Sequence, residues 1–139
     1  MFDEILTLDQ IIIVFVRIVI PIFLMIVFFQ SGLDKIIDKA GNLDWLKEHF
    51  SKTVLKNIIP HLLIVLTIFE IISGLLFFVG IIFYMIYDQP QYIIYGLIIS
   101  NITILCLFFG QRVAKDYVGA ADLVNYFTLS VIGLLVFLY

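Results

Sequence analysis

The stretch HLLIVLTIFEIISGLLFFVGIIFYMIY, residues 61–87, decides the fold class of this chain. It is long enough to cross the apolar core of a bilayer, which takes roughly 20 apolar residues at about 1.5 Å of rise each. Glu70 is its only acidic residue and falls near mid-depth, where an ionised carboxylate facing lipid is too costly to persist. We therefore expect Glu70 to face other helices and to meet a cation there.

The composition excludes a soluble globular protein. Of the 139 residues, 63% are hydrophobic and 14% are charged, and the mean hydropathy is +1.18; such values indicate an integral membrane protein. The net charge is only −3 and the basic residues form no stripe, so nucleic-acid binding is excluded. Cys106 is the single cysteine, which rules out an intramolecular disulfide, a CxxC pair and a cysteine zinc site. Its apolar surroundings predict a buried structural thiol.

Four apolar runs predict an all-α, integral membrane four-helix bundle that forms one transmembrane domain over residues 1–139. The helices are expected at about 10–32, 61–87, 92–110 and 119–139. Residues 33–59 form a polar segment that is predicted to be amphipathic and interfacial, with Asn42 capping a short helix from Leu43. Its Trp45 and Phe50 are expected to dip into the headgroup layer; a helical loop that merely caps the bundle is the alternative. The first run has an acidic flank rather than a basic one, which predicts an uncleaved helix.

Charge asymmetry predicts the orientation of the bundle. Every lysine lies on the side of the long polar segment, whereas Tyr84, Tyr87, Tyr92, Tyr95 and Tyr139 lie on the other side as an aromatic belt. The positive-inside rule then places the polar segment in the cytoplasm and both termini outside.

A buried polar network is the first candidate site. Arg17 is the one cation inside an apolar run comparable to that of Glu70, so we expect Arg17 to pair with Glu70. Ser73 lies on the small and polar face of the Glu70 helix, and Asn101 lies at similar depth on the next helix, so both could complete the network. Intramembrane ionisable residues are functional candidates, but a structural ion pair that fixes helix register fits the sequence equally well.

A second polar cluster lies on the basic side of the membrane, and it is predicted either to cap helix ends or to form a binding mouth for a polar headgroup. Its members are Gln30, Asp34, Lys35, Gln111, Arg112, Asp122 and Asn125. His49 and His61 have no neighbouring histidine or cysteine, so neither a metal site nor a haem is expected.

Four segments of the chain carry a family resemblance: Arg17 early in the first helix, FFQSGLDKIID at its end, the loop GNLDWLKEHFSKT, and FEIISGLLFFVG in the second helix. With them the chain resembles the DoxX family of small four-helix membrane proteins. Relatives in that family include a small subunit of an archaeal thiosulfate:quinone oxidoreductase and proteins associated with membrane oxidoreductases and oxidative-stress defence. More distant relatives are assembly factors or cargo receptors. The family is often drawn with a cytoplasmic N-terminus, the reverse of the orientation that the lysines predict.

The resemblance implies an accessory subunit of a membrane-associated oxidoreductase or quinone-linked system in a bacterial cytoplasmic (inner) membrane. A lipid- or small-molecule-binding bundle and a membrane assembly or chaperone factor are the alternatives. The sequence holds no catalytic motif, so an accessory or binding protein is favoured over a stand-alone enzyme. A quinone or a lipid is the candidate ligand, and membrane lipids, a redox enzyme subunit or a second copy of the chain are the candidate partners.

Overall fold

The computed structural model describes residues 5–139, and within that range the chain is all-helical. The helices are α1 (Leu8–Ile37), α2 (Lys39–His49), α3 (Ile59–Tyr87), α4 (Gln91–Val113) and α5 (Tyr117–Val136). Four of them, α1, α3, α4 and α5, are long and apolar enough to cross a membrane. The predicted fold class, an integral membrane four-helix bundle, is therefore confirmed.

The four long helices pack side by side, α1 on α3, α3 on α4, α4 on α5, and α5 back on α1. The core between them is built from Leu24, Phe28, Phe77, Leu97 and Ile104, all nearly inaccessible. The α3–α4 contact is closest at Gly80, where an added Cβ would lie 2.7 Å from the backbone nitrogen of Ile93. Small residues at this contact let two antiparallel backbones meet, which is how membrane helices associate in the absence of a hydrophobic driving force.

The end of α1 differs from the prediction. The helix continues to Ile37 rather than ending near Gly32, and α2 begins at Lys39 after a corner at Asp38. The Asp38 side chain caps α2 by accepting a hydrogen bond from Gly41 N at 3.2 Å. The predicted cap at Asn42 is wrong, because its amide instead closes the corner by donating to Asp38 O at 2.9 Å.

Helix α2 is amphipathic in the predicted sense. Leu43 and Leu46 are half-buried, whereas Asp44, Lys47 and Glu48 are exposed. The two aromatic residues differ from each other: Trp45 is 54% exposed, but Phe50 is 7% exposed. Phe50 packs over Gly110 of α4, where the missing side chain leaves room for its ring. Phe50 is therefore buried against protein, while the place of Trp45 in the headgroup layer stays a prediction.

The side of the bundle that carries most of the tyrosines, here called the tyrosine side, is formed by the short α3–α4 connection and by the end of α5. Asp88 ends α3 in the left-handed conformation (φ 53°), which a short polar side chain tolerates. Tyr87, Tyr95 and Tyr139 are exposed as a belt would require, but Tyr84 is buried and faces the bundle.

Candidate functional site

Glu70 is held by two residues of α1. Its Oε2 lies 3.0 Å from Lys35 Nζ as an ion pair, and its Oε1 accepts hydrogen bonds from Lys35 Nζ at 3.2 Å and from Ser31 Oγ at 3.0 Å. Lys35 also donates to Ser31 Oγ at 2.9 Å. Because Ser31 and Lys35 are four residues apart, they share one helix face. Glu70 is 1% exposed, so its charge is met almost entirely by this face of α1.

Close approach of α1 and α3 makes these contacts possible. A Cβ added at Gly32 would lie 2.7 Å from the Ile71 side chain and 3.4 Å from Glu70 Cβ. A Cβ added at Gly74 would lie 2.8 Å from the ring of Phe29. Two glycines, one on each helix, therefore bring the Lys35 side of α1 against Glu70.

The predicted pairing of Arg17 with Glu70 is wrong. Arg17 Nε donates to Val136 O at 3.2 Å, Nη1 donates to Tyr84 Oη at 3.5 Å, and the guanidinium lies 5.2 Å from the centroid of the Phe137 ring. The reason is register: Tyr84 lies roughly 21 Å further along α3 than Glu70 at about 1.5 Å per residue. Arg17 ties α1 to α3 and α5 at the tyrosine end instead.

Ser73 and Asn101 do not join Glu70. Asn101 Nδ2 donates to Leu97 O and to Ser130 Oγ, both at 2.9 Å, and so links α4 to α5. Within residues 5–139, Asn101 Oδ1 and the fully buried Ser73 Oγ have no hydrogen-bond partner. The expected single network is thus three separate clusters, around Glu70, around Arg17 and around Asn101.

A cavity of about 510 Å³ lies between α2, α3 and α4, beside the Glu70 cluster. Its walls are apolar and include Leu62, Leu66 and Phe69 of α3 and Leu105, Cys106 and Phe109 of α4. Trp45 and Leu46 of α2 cover one end. Leu105, Cys106 and Phe109 are exposed at the bundle surface, so the cavity opens toward lipid. The thiol of Cys106 is therefore exposed, not buried as predicted.

The covered end of the cavity is polar. Lys35, Asn42 and Gln111 lie there, while the rest of the wall is apolar and includes Phe69 and Leu105. From Gln111 to Leu105 the wall of α4 extends roughly 9 Å at about 1.5 Å per residue. The cavity therefore has one polar end and one apolar end, as an amphipathic molecule does.

Of the second predicted cluster, the structure brings only Lys35 and Gln111 to the cavity. Asp34 accepts from the Asn42 amide at 3.4 Å and helps to close the α1–α2 corner. Arg112 lies 4.5 Å from the centroid of the Tyr117 ring. Gln30, Asp122 and Asn125 are exposed. The predicted mouth is thus smaller than expected, and its other members lie outside the cavity.

Two residues of this region were missed from the sequence. Ser31 is not among the predicted site residues, although its four-residue spacing from Lys35 indicates a shared helix face. His49 was discounted for lack of metal-binding neighbours. It lies 2.8 Å from Gln111 Oε1 and 3.6 Å from Asp116 Oδ2, and its ring stacks on Trp45 at 4.5 Å. His49 thus fastens α2 to the α4–α5 connection.

Across the described residues 5–139, no group of three or more His, Cys, Asp or Glu side chains could hold a metal ion. Comparisons with known protein families, curated proteins and solved structures find no match to this chain. The resemblance to the DoxX family therefore stays a prediction from its motifs.

Proposed function

We propose that this integral membrane protein binds one amphipathic molecule, a lipid or a quinone, in the cavity between α2, α3 and α4. The observation that carries the proposal is the cavity itself, about 510 Å³ with apolar walls and one polar end. Sites for small molecules and cofactors in proteins are mostly apolar spaces of about 300–1,000 Å³ with a few placed polar groups. This volume and lining fit that class.

The position of the opening supports a ligand that arrives from the membrane. Cys106 and Phe109 line the cavity and are also exposed on the bundle surface. A hydrocarbon tail that enters there moves from lipid to an apolar wall and loses no hydration. The polar head then reaches the end covered by α2, near Lys35 and Asn42.

The ion pair supports the same proposal by fixing the polar end. Lys35 lines the cavity, and its ammonium is held by Glu70 and by Ser31 at 2.9–3.2 Å. A positive charge in a fixed position attracts the oxygen of an incoming head with less loss of side-chain freedom than a mobile charge does. The role of Glu70 is then to position Lys35.

Ligand binding is tested with the single tryptophan, because Trp45 lines the cavity. Purified protein in detergent is titrated with an amphiphile carrying a brominated tail, and we expect saturable quenching of Trp45 emission. The unbrominated amphiphile should compete. Quenching that rises linearly without saturation would overturn the proposal, because it would report only mixing with the detergent micelle.

Matched variants at Gly110 locate the ligand. Gly110 lines the cavity, and an added Cβ would meet only Phe50, at 3.4 and 3.8 Å, which is ordinary contact. Gly110→Ala should therefore bind as the wild type does, whereas Gly110→Leu should fill the space and abolish saturable quenching. Ile102→Phe, on an exposed position of α4, serves as a control for added bulk. Unchanged binding by Gly110→Leu would show that the ligand lies elsewhere.

The sequence resemblance supports a further part of this proposal, the biological role. We propose that the protein is an accessory subunit of a membrane-associated oxidoreductase in a bacterial cytoplasmic membrane, alone or as a homo-oligomer. A quinone in the cavity would support the redox setting, and a phospholipid or glyceride would favour a lipid-binding role. Mass spectrometry of molecules co-extracted with wild type and with Gly110→Leu separates them, because only the true occupant is lost from the variant.

A further inference from the structure

We infer that the cavity selects an uncharged head, such as a hydroxyl, amide or carbonyl group, and discriminates against anionic amphiphiles. This inference rests on the proposed ligand-binding function and names the chemical class of the ligand. The class includes glycerides and quinones and leaves out free fatty acids and anionic phospholipids.

The first step of the argument is the charge of the polar end. Within the described part of the chain, residues 5–139, Lys35 carries the one positive charge that lines the cavity, and the Glu70 carboxylate lies 3.0 Å from its ammonium. The pair is therefore neutral as a unit. An anionic head that approached Lys35 would also approach a carboxylate that is 1% exposed and poorly screened by water.

The second step is the surroundings of Asn42. Its amide nitrogen donates to the backbone oxygens of Asp34 and Asp38 at 3.3 and 2.9 Å and to the Asp34 carboxylate at 3.4 Å, so one further carboxylate lies directly behind the polar end. The amide oxygen is the group that Asn42 has left to accept a hydrogen bond. A hydroxyl or amide head fits both groups, with an oxygen that faces the Lys35 charge and a donor for the Asn42 oxygen, whereas a quinone carbonyl offers only the oxygen.

The third step is the cost of bringing a charge into the cavity. Most of the wall is hydrocarbon, and a carboxylate loses hydration on entering unless a cation compensates it. Lys35 cannot supply that compensation in full, because Glu70 already does so for Lys35. An uncharged head loses less hydration and recovers it through Lys35 and Asn42.

The test compares two heads on one tail. A brominated fatty acid and its primary amide are titrated against Trp45 emission at mildly alkaline pH, where the acid is ionised. We expect the amide to bind about tenfold more tightly, which corresponds to roughly 1.4 kcal/mol. Equal or tighter binding of the acid would overturn the inference and leave the proposed function standing. Failure of both compounds to quench Trp45 saturably would overturn both.

A charge variant asks whether Glu70 is the cause. Glu70→Gln leaves Lys35 uncompensated, so the preference for the amide should disappear or invert. Asp122→Asn is the matched control, because it makes the same change in net charge at an exposed position that does not line the cavity. A ratio that falls equally in both variants, or in neither, would overturn the assignment to Glu70.

A second variant removes the cation of the polar end, and the wild-type comparison of acid with amide stands whether or not either variant folds. Lys35→Gln takes away the positive charge that faces the cavity, so the acid should bind more weakly than it does to the wild type. Tighter binding of the acid by Lys35→Gln would overturn the inference. A third arm titrates an alkyl benzoquinone and a monoacylglycerol, both uncharged, against Trp45 emission. The compound that binds more tightly identifies a quinone or a glyceride as the natural source of the head.

Discussion

Glu70 on α3 contacts Lys35 on α1, with Oε2 at 3.0 Å from Nζ, at the polar end of an apolar cavity. Ser31 bridges the two by donating to Glu70 Oε1 at 3.0 Å and accepting from Lys35 at 2.9 Å. The three residues join the C-terminal part of α1 to the middle of α3 as one polar unit. This unit stabilises the α1–α3 contact and, among residues 5–139, fixes the only cation that faces the cavity.

Coupling between Glu70 and Lys35 is the first prediction. Breaking a buried ion pair by removing one partner typically costs about 3–5 kcal/mol, since the other charge is stranded. Glu70→Gln and Lys35→Gln should each lower the unfolding midpoint in detergent, Lys35→Gln by more, because Glu70 is the less exposed partner. The double variant should recover much of the loss.

Arg17 provides the control for this double-mutant comparison of Glu70 with Lys35. It contacts Val136, Tyr84 and Phe137 at the other end of the bundle, so its effects should add to those of Glu70→Gln within about 0.3–0.5 kcal/mol. Strong coupling between Arg17 and Glu70 would contradict the helix register described above.

Arg17 itself is the subject of the second prediction. Hydrogen bonds to charged groups contribute about 1.5–3 kcal/mol each, and Arg17 Nε donates to a carbonyl near the end of α5 at 3.2 Å. Arg17→Met should therefore lower the free energy of unfolding by roughly that amount. Tyr84→Phe should cost less, because its hydroxyl lies 3.5 Å from the guanidinium. Both are measured by thermal unfolding in detergent; a larger loss from Tyr84→Phe would show that the α3 contact matters more than the α5 contact.

The number of spans and the inward position of Glu70 were predictable from the sequence because both follow from contact with lipid alone. An apolar run of sufficient length must cross the membrane, and a carboxylate within it must avoid lipid. Neither argument requires knowing which helices pack against each other. The amphipathic face of α2 was predictable for the same reason, from the spacing of Leu43, Leu46 and Phe50.

The partner of Glu70 was not predictable, because it depends on helix register. Lys35 was assigned to the polar exterior, yet α1 extends to Ile37 and the flexible lysine side chain reaches back along its own helix to Glu70. The cavity was not predictable either, because it arises from the packing of α2 over α3 and α4, which no local pattern encodes.

The third prediction concerns the contact of α3 with α4. A Cβ at Gly80 would lie 2.7 Å from Ile93 N and 3.0 Å from Tyr92 C, and backbone atoms cannot move aside as a side chain tip does. Overpacking of this kind typically costs about 1–3 kcal/mol. Gly80→Ala should therefore lower the unfolding midpoint in detergent, while Gly110→Ala should not. Equal behaviour of the two variants would mean that α3 and α4 are further apart than described.

Topology is the fourth prediction. Four spans place residues before α1 and after α5 on the same side, opposite to α2. Reporter fusions at Tyr139 and at Asn42 should therefore give opposite readings. The lysine distribution predicts that the Asn42 fusion reports the cytoplasm. A non-cytoplasmic reading at Asn42 would reverse the orientation and leave the span count intact, whereas matching readings would contradict the span count.

The last prediction is that His49 holds α2 over the cavity through Gln111. The imidazole lies 2.8 Å from Gln111 Oε1, and one hydrogen bond contributes about 0.5–1.5 kcal/mol net, enough to change how often α2 opens locally. Gln111→Met removes the bond and keeps the stacking of His49 on Trp45, so aqueous acrylamide should quench Trp45 more strongly than in the wild type. Arg112→Met, at the adjacent exposed position, should leave that quenching unchanged. In liposomes, brominated lipid should quench Trp45 of the wild type, as expected for a side chain in the headgroup layer. Unchanged acrylamide quenching in Gln111→Met would contradict a hold through Gln111 and leave it to the His49–Asp116 contact and to Phe50 packed over Gly110.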